Sequence, residues 1–521
     1  MSWTVRALPA CALPPDRKLR NPHGATSCTS DNSSEAPGWA SYSASSRSRI
    51  ESSIATILAE VILETASGYD WKEWWPFEIT LAWTCPVVRR FGECPIVRLS
   101  LTRLGLFLGL LLLIGLGVWL SIRFRDQRAT ISWTEVHQEI DGFGASSASD
   151  MPEMNVLTDA RADMFFDPVR GIGLSLLRTQ IQPDGSSLEI VTAQKATTRG
   201  AKVWAAPWTP PAKYKTNGTL ENGGHLIPSD YSAWASLLAG YAKLMRSNGV
   251  AIYALSVQNE PDISEAYASC LYTATEMHDF VPNLYSAFHS NGIDNTKIMI
   301  AEQYQWTFDL TNVAMADPAV AEHVDIIAAH GYGHREIFAH DSGHAHLWET
   351  EISGAPDGHN FDGSIQDGVK WAIKIHQFLT VANVNAWHWW TLMTDEDDNG
   401  GLTDKQGLPA KRMYVIGQWS KFIRPGWHRI GATSAGPVQL SAFKDTGGRS
   451  FAIVVINASP YSKAQKFSLQ GFSADSITPW VTSESLSLAP QDPITVNGSE
   501  FTYRLPASSV TTLTGSSRPA Q

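Results

Sequence analysis

Ile252-Tyr253-Ala254-Leu255-Ser256-Val257-Gln258-Asn259-Glu260-Pro261 is an apolar run that breaks off in an amide, a carboxylate and a proline. Such a run reads as a strand buried on both faces, and the polar residues at its C-terminal end read as the rim of a site. His346-Leu347-Trp348-Glu349-Thr350-Glu351 ends in the same way. Working outward, runs of this kind recur at 139–144, 174–180, 201–208, 251–260, 297–303, 324–330, 346–351 and 384–391. Eight of them is the number that a closed (β/α)8 barrel requires, and a barrel gathers its chemistry at the C-terminal ends of its strands. Glu260 then ends the fourth strand and Glu351 the seventh.

Helical patterns lie between the runs. The clearest spans 231–246, where Trp234, Leu237, Leu238, Tyr241, Leu244 and Met245 recur at helical spacing, with Asp230 as the expected N-cap and Gly249 as the stop. A doubly wound open sheet also alternates strand and helix, but no glycine-rich phosphate loop follows the first strand. The barrel is therefore assigned to 131–423. Beyond it, short strand signals at 439–443, 450–457, 464–469 and 500–505 are separated by Gly, Pro, Ser and Asp clusters. These predict a C-terminal antiparallel β-sandwich side domain over 424–515. It reads either as a carbohydrate-binding module or as a brace for the barrel, and its poverty in aromatics favours the brace.

The N-terminal part has a different character. Residues 1–100 include a Ser-rich, aliphatic-poor stretch at 25–54 and read as low-complexity, disordered or wrongly assigned extension. Residues 104–122 (LGLFLGLLLLIGLGVWLSI) form an uncharged run about long enough to cross a bilayer. Three readings stand: an uncleaved anchor, a secretory signal whose start lies downstream of Met1, or a buried core helix. The first two place the body of the chain outside the cytoplasm, secreted or membrane-anchored, and 104–122 is the only expected membrane contact.

Composition excludes several classes. A formal net charge of −11 argues against nucleic-acid binding, because phosphates demand a basic face. Four of the five cysteines lie before residue 100, leaving Cys270 alone in the body, so no disulfide framework is expected. No Cys/His cluster has structural-metal spacing, so neither metal nor cofactor is expected. A calcium reading of Asp395, Asp397, Asn399 and Gly400 fails at the twelfth position, where Gln406 replaces the required Glu. Twenty tryptophans exceed what a core of this size requires, and flat aromatic faces stack on sugar rings. Of the tryptophans near strand ends, Trp208 and Trp390 are singled out for that role.

Two carboxylates at strand ends are the minimum apparatus for splitting a glycosidic bond. One, with a raised pKa, protonates the leaving oxygen, and Glu260 fits; the adjacent Asn259 can hold the sugar's 2-hydroxyl. Strand alternation puts Glu349 and Glu351 on one face, so spacing alone does not choose between them. Glu351 lies nearer the mouth and is taken as the nucleophile. Glu302, at the end of the fifth strand, is a third candidate and reads as a supporting partner.

Asp141-Gly142-Phe143-Gly144, Pro207-Trp208-Thr209-Pro210-Pro211, Gln258-Asn259-Glu260-Pro261, Trp348-Glu349-Thr350-Glu351 and Ser420-Lys421-Phe422-Ile423-Arg424-Pro425-Gly426, in this order, resemble glycoside hydrolase family 30. The resemblance covers about 131–514. It implies a barrel with a side β-domain that also takes in a segment before the first barrel strand, and a retaining mechanism with Glu351 as nucleophile and Glu260 as acid, then base. It further implies that Arg178 fixes the nucleophile's charge, that His330 and Tyr332 line the sugar site, and that Trp390 forms the platform beneath the cleaved sugar. The expected partner is a polysaccharide or glycoside, and the expected state is a monomer.

Ser420–Gly426 and the Trp389-Trp390 pair resemble the glucuronoxylan-cleaving xylanases of the family, which makes an endo-β-1,4-xylanase of plant cell-wall polysaccharide the first expectation. Those enzymes grip a glucuronate branch with an arginine after the eighth strand. Here that loop reads Thr394-Asp395-Glu396-Asp397-Asp398-Asn399-Gly400-Gly401, and its carboxylates repel a uronate. A β-1,6-glucanase or galactanase and a glucosylceramidase-type β-glycosidase remain as alternatives within the family. A non-catalytic carbohydrate-binding surface protein remains as an alternative of another class.

Overall fold

The apolar runs form parallel strands around a common axis. The computed structural model describes residues 109, 111–115, 128–148, 152–333, 336–358, 360–394 and 396–519. Residues 1–100, most of 104–122, and Asp395 of the acidic loop lie outside the described residues. Among the described residues, no helix is long and apolar enough to cross a membrane.

After β1 (Arg128–Ile140) come the barrel strands β2 (Gly142–Ser146), β3 (Leu176–Ile181), β4 (Lys202–Pro207), β5 (Ile252–Ser256), β6 (Lys297–Gln305), β7 (Ile326–Tyr332), β8 (His346–Glu349) and β9 (Ala386–Met393). They pair in parallel in that order, β9 returns to β2, and β8 also meets β9, which closes the barrel. The short β10 (Gly401–Thr403) adds to the outer side of β9.

Alternation along each strand sorts the side chains into two layers. In β4, Val203 and Ala205 face the helices, while Trp204 and Ala206 face the axis. The interior packs Trp204 and Trp348 edge to face at 6.0 Å against Ala254, Ala328 and Ala386, large side chains filling the space that small ones leave. Trp387 and Trp389, by the same alternation, point outward among the helices; Trp389 meets Trp371 at 4.7 Å. The helix Tyr231–Ser247 forms where its spacing predicts, and Gly249 closes it at φ 79. Asp230 precedes it, but its side chain makes no capping hydrogen bond.

The side domain departs from its expected boundary. Residues 131–140, counted with the barrel from sequence, run as β1 in the second sheet. β1 lies antiparallel to β11 (Trp427–Ser434) and parallel to β14 (Lys463–Gln470). It leaves the barrel because Ala129 and Ile131 are buried in the side domain's own cluster. The remaining strands are β12 (Gln439–Lys444), β13 (Ser450–Asn457), β15 (Phe472–Ser473), β16 (Ser476–Thr482), β17 (Ala489–Pro490), β18 (Ile494–Thr495), β19 (Glu500–Leu505), β20 (Ser509–Ser516) and β21 (Arg518–Pro519). All but β15 and β21, which pair with each other, join one hydrogen-bonded ten-stranded sheet; β16, next to one end strand, and β19, the other end strand, contribute Ile477 and Phe501 to the same apolar cluster.

β13 shows why this domain braces the barrel. Phe451, Ile453 and Val455 face the side domain's cluster, while Ala452, Val454 and Ile456 belong to the buried layer around the barrel, as do Phe443 and Val510. Both faces are covered, so the strand is a continuous apolar run. The helix Lys411–Ser420 runs along the junction, where Gln418 Nε2 donates to Thr482 Oγ1 at 2.8 Å and Thr512 Oγ1 donates to the Gln418 carbonyl at 2.6 Å. Lys421, in the run that carried the family resemblance, donates to the carbonyls of Pro168, Val169 and Gly171 at 2.7, 2.9 and 3.1 Å. That motif belongs to the junction.

Barrel and side sheet therefore unfold together. Phe443→Ala should cost about 3–5 kcal/mol, with tryptophan fluorescence and far-ultraviolet circular dichroism following one coincident transition. Two separated transitions would contradict a shared core.

Candidate active site

The strand ends bring Arg178, Asn259, Glu260, Glu302, His330, Tyr332 and Glu351 into one buried cluster. Leu176 on β3 faces the axis, so Arg178, two residues on, faces it too, at the mouth. Its guanidinium has no exposed surface. Nη1 donates to Glu351 Oε2, and Nη2 donates to Asn259 Oδ1 and, at 2.7 Å, to Glu302 Oε1. The Trp208 ring lies against the guanidinium at 4.7 Å from its centroid, and Trp390 lies at 5.8 Å.

Glu260 is not the last residue of its strand, as the run suggested. β5 stops at Ser256, and Glu260 sits four residues later at φ 46, a left-handed conformation that a glutamate adopts only under local constraint. Asn259 N donates to the Pro207 carbonyl at 2.9 Å and Glu260 N to the Glu302 carbonyl at 3.1 Å, which supplies that constraint. Ala301 and Glu302 share the left-handed conformation, φ 75 and 53, at a register shift between β6 and β7. Backbone strain is thus concentrated where two carboxylates are aimed inward.

Glu351 lies two residues past β8. Its Oε1 accepts from Tyr332 Oη at 3.0 Å while Oε2 accepts from Arg178. Glu260 Oε2 accepts from Tyr267 Oη at 3.0 Å and Asn259 Nδ2 at 3.3 Å; its Oε1 faces His330 Nδ1 at 3.2 Å. His330 Nε2 faces Glu302 Oε1 at 3.4 Å. Tyr304 stacks on Tyr332 at 5.2 Å, and Trp208 and Trp390 lie 6.2 Å apart with Trp390 half-buried.

The electrostatics follow from burial and pairing. Burial works against the His330 charge, but Glu351, Glu260 and Glu302 surround the ring and hold its pKa up to about 10. Burial likewise raises Glu302, yet Arg178 and His330 outweigh it and keep that carboxyl below its ordinary value. Glu351 is raised by burial and by Glu260, against the pull of His330 and Arg178. One oxygen from each of Glu260 and Glu351, together with a ring nitrogen of His330, lie within 4.8 Å of one another. That spacing would also fit a metal ion.

All eight residues singled out from sequence gather here. His330 and Tyr332 reach the carboxylates themselves, which sequence reasoning did not foresee. It also missed Tyr267, whose hydroxyl bonds Glu260 from the loop after Pro261, and no periodicity marks such a residue. Glu349 does not share a face with Glu351: strand alternation stops with β8, and Glu349 stays in the barrel wall, where its Oε2 accepts from His388 N at 3.0 Å. In the acidic loop Asp398 Oδ1 accepts from Thr394 Oγ1 at 2.9 Å and Gly400 N at 2.8 Å, and Asn399 Oδ1 accepts from Asp362 N at 2.6 Å. Asp398 thus serves the loop itself, and Asn399 ties the loop to the segment at Asp362.

Comparison with known proteins agrees with this architecture. Residues 184–370 match the model of the glycosyl hydrolase family 30 TIM-barrel domain. The chain is 30% identical over 401 residues to glucuronoxylanase XynC of Bacillus subtilis (strain 168), covering 74% of this chain and 90% of that protein. Among solved structures it resembles the family 30 subfamily 8 xylanase Xyn30A of Clostridium acetobutylicum, with TM-score 0.67 and 34% identity over 75% of this chain and 99% of that one. It also resembles a GH30 endoxylanase of Clostridium papyrosolvens C71, with TM-score 0.64 and 31% identity over 75% of this chain and 100% of that one. A barrel of this topology, a paired side sheet and a relative matched over nine-tenths of its length lead to one conclusion: the chain belongs to glycoside hydrolase family 30 and is a glycoside hydrolase.

Proposed function

We propose that this protein is a retaining endo-β-1,4-xylanase in which Glu351 is the nucleophile and Glu260 the acid and base. The observation that carries the mechanism is the approach of a Glu260 oxygen and a Glu351 oxygen to within 4.8 Å. Retaining pairs stand roughly 5–5.5 Å apart, whereas inverting pairs leave roughly 6.5–9.5 Å for a water molecule. In the first step Glu351 Oε1 or Oε2 bonds to the anomeric carbon, the glycosidic C–O bond breaks, and Glu260 gives its proton to the departing oxygen. In the second, Glu260 takes a proton from water, whose oxygen bonds to the anomeric carbon as the bond to Glu351 breaks. Arg178 and Tyr332 occupy both oxygens of Glu351, which favours its ionised form before attack. Asn259, with one amide hydrogen directed at Glu260, has a second for the 2-hydroxyl of the sugar. Trp208 and Trp390 supply aromatic faces for the rings on either side.

The substrate reading is supported by relatives named as xylanases that align over at least 90% of their length at 30–34% identity. Residues 394–401 contain no Lys or Arg, while Glu396, Asp397 and Asp398 make the loop acidic. A uronate branch gains nothing there, so we propose that cleavage does not depend on one. A polymer too large to enter a cell also supports an extracytoplasmic site of action.

Glu260→Gln should lower kcat on xylan by about 10²–10⁴-fold, and Glu351→Gln at least as much, with melting temperatures close to wild type. Azide, which needs no base, should restore turnover of an activated aryl glycoside to Glu260→Ala and yield a β-glycosyl azide; an α-azide would exchange the two roles. Initial rates on glucuronoxylan and on debranched xylan should agree within about threefold, and strict dependence on the branch would defeat the substrate reading. His330 titrates near 6.5 when unfolded but near 10 here, so its contribution to stability is complete below about pH 6.5 and lost as pH rises through about 10. His330→Gln should be less stable than wild type at pH 6 and lose less stability between pH 6 and 10, as measured by denaturant unfolding.

A further inference from the structure

The wall beside the proposed nucleophile is stitched unusually. β8 pairs with β7 through four residue pairs but with β9 through one, Trp348 to Ala386. The next main-chain link between them is Trp390 N to the Ile352 carbonyl, at 2.9 Å. Between these two points the gap is bridged by two side chains working reciprocally. Glu349 Oε2 accepts from His388 N at 3.0 Å, and His388 Nδ1 meets the Glu349 carbonyl at 2.8 Å. A carbonyl only accepts, so Nδ1 carries the proton; Nε2 is left to accept from Trp204 Nε1, at 3.0 Å. Gly144 on β2 makes room for this ring, since a Cβ there would collide with His388.

We infer that Glu349 is a positioning residue for the nucleophile: its carboxyl closes the gap between β8 and β9 and so fixes where Glu351 enters the mouth. The inference rests on Glu351 being the nucleophile. Glu349 has no exposed surface, and its Oε1 has no hydrogen-bond partner. An anion placed so would cost more than a neutral carboxyl that accepts through Oε2. Burial accordingly pushes its pKa up to about 8, against the pull of the His388 N–H and His330. The groups that act on it are His330 from β7, Glu351 and its main-chain N–H from the same segment, His388 from β9, which burial keeps uncharged, and Lys374 from the helix Ile365–Gln377.

The test compares the full-length wild type with Glu349→Gln and Glu349→Met. It reads kcat and KM on an aryl β-xylobioside, and the rate at which an aryl 2-deoxy-2-fluoro-β-xylobioside releases its phenol and labels Glu351, followed by peptide mass. Gln keeps the neutral acceptor and should stay within about threefold of wild type at pH 6. Met removes it and should lower kcat and the labelling rate by about 10–100-fold, the scale of a misplacement near 1 Å, with KM nearly unchanged. Labelling of Glu351 at the wild-type rate in Glu349→Met, or equal losses in both variants, overturns the inference alone. A label on another residue in the wild type overturns the nucleophile assignment and the inference with it. If Glu349→Met does not fold, Glu349→Gln decides: kcat and labelling rate should stay within about threefold of wild type at pH 6, and a loss of about tenfold or more overturns the inference.

Discussion

A fully buried guanidinium organises this molecule. Stripping water from Arg178 costs several kcal/mol, so its neighbours must be acceptors, and they are Glu351, Glu302 and Asn259. With Glu260 beside them there are three carboxylates, which demand a second cation, and His330 is held protonated among them. Arg178 and His330 against Glu260, Glu302 and Glu351 leave one negative charge in excess. The five groups are neutral when one carboxyl keeps a proton. Glu302 is held ionised, because Arg178 and His330 outweigh the burial of its carboxyl. Double displacement uses one carboxylate to attack and one carboxyl to donate.

The rest of the fold serves to keep that cluster in place. The barrel axis is filled by Trp204, Trp348 and His388, which meet edge to face or tilted at 5.3–6.0 Å and form a floor beneath Arg178. The side sheet, entered through β1 before the barrel begins, covers the barrel's helix layer with Ala452, Val454 and Ile456. Left-handed backbone at Glu260, Ala301 and Glu302 costs of the order of 1–3 kcal/mol per residue and persists because neighbouring strands hold it by hydrogen bonds.

Much of this was legible in the chain. Parallel strands buried on both faces leave continuous apolar runs, so all eight barrel strands were located to within a few residues. The polar residues that end two of them named Glu260 and Glu351, and the family resemblance added Arg178 and His330. What escaped was set by departures from regular geometry. Period-two alternation placed Glu349 beside Glu351 because nothing in the sequence marks where β8 stops. Glutamate is not a residue type that announces a positive φ, so Glu260 was read as the end of a strand it had already left. Ala129 and Ile131 are as apolar as barrel residues, so apolar patterning does not separate β1 from the barrel; the family resemblance implied such a segment, and pairing with β11 and β14 puts β1 in the side sheet. Tyr267 lies in a loop, where position depends on tertiary contacts.

The measurement that bears most directly on double displacement is the anomeric configuration of the first product, followed by proton NMR during early hydrolysis of a β-1,4-xylan oligosaccharide. Double displacement through Glu351 predicts that the β-anomer of the new reducing end appears first and then mutarotates. First appearance of the α-anomer would contradict the account.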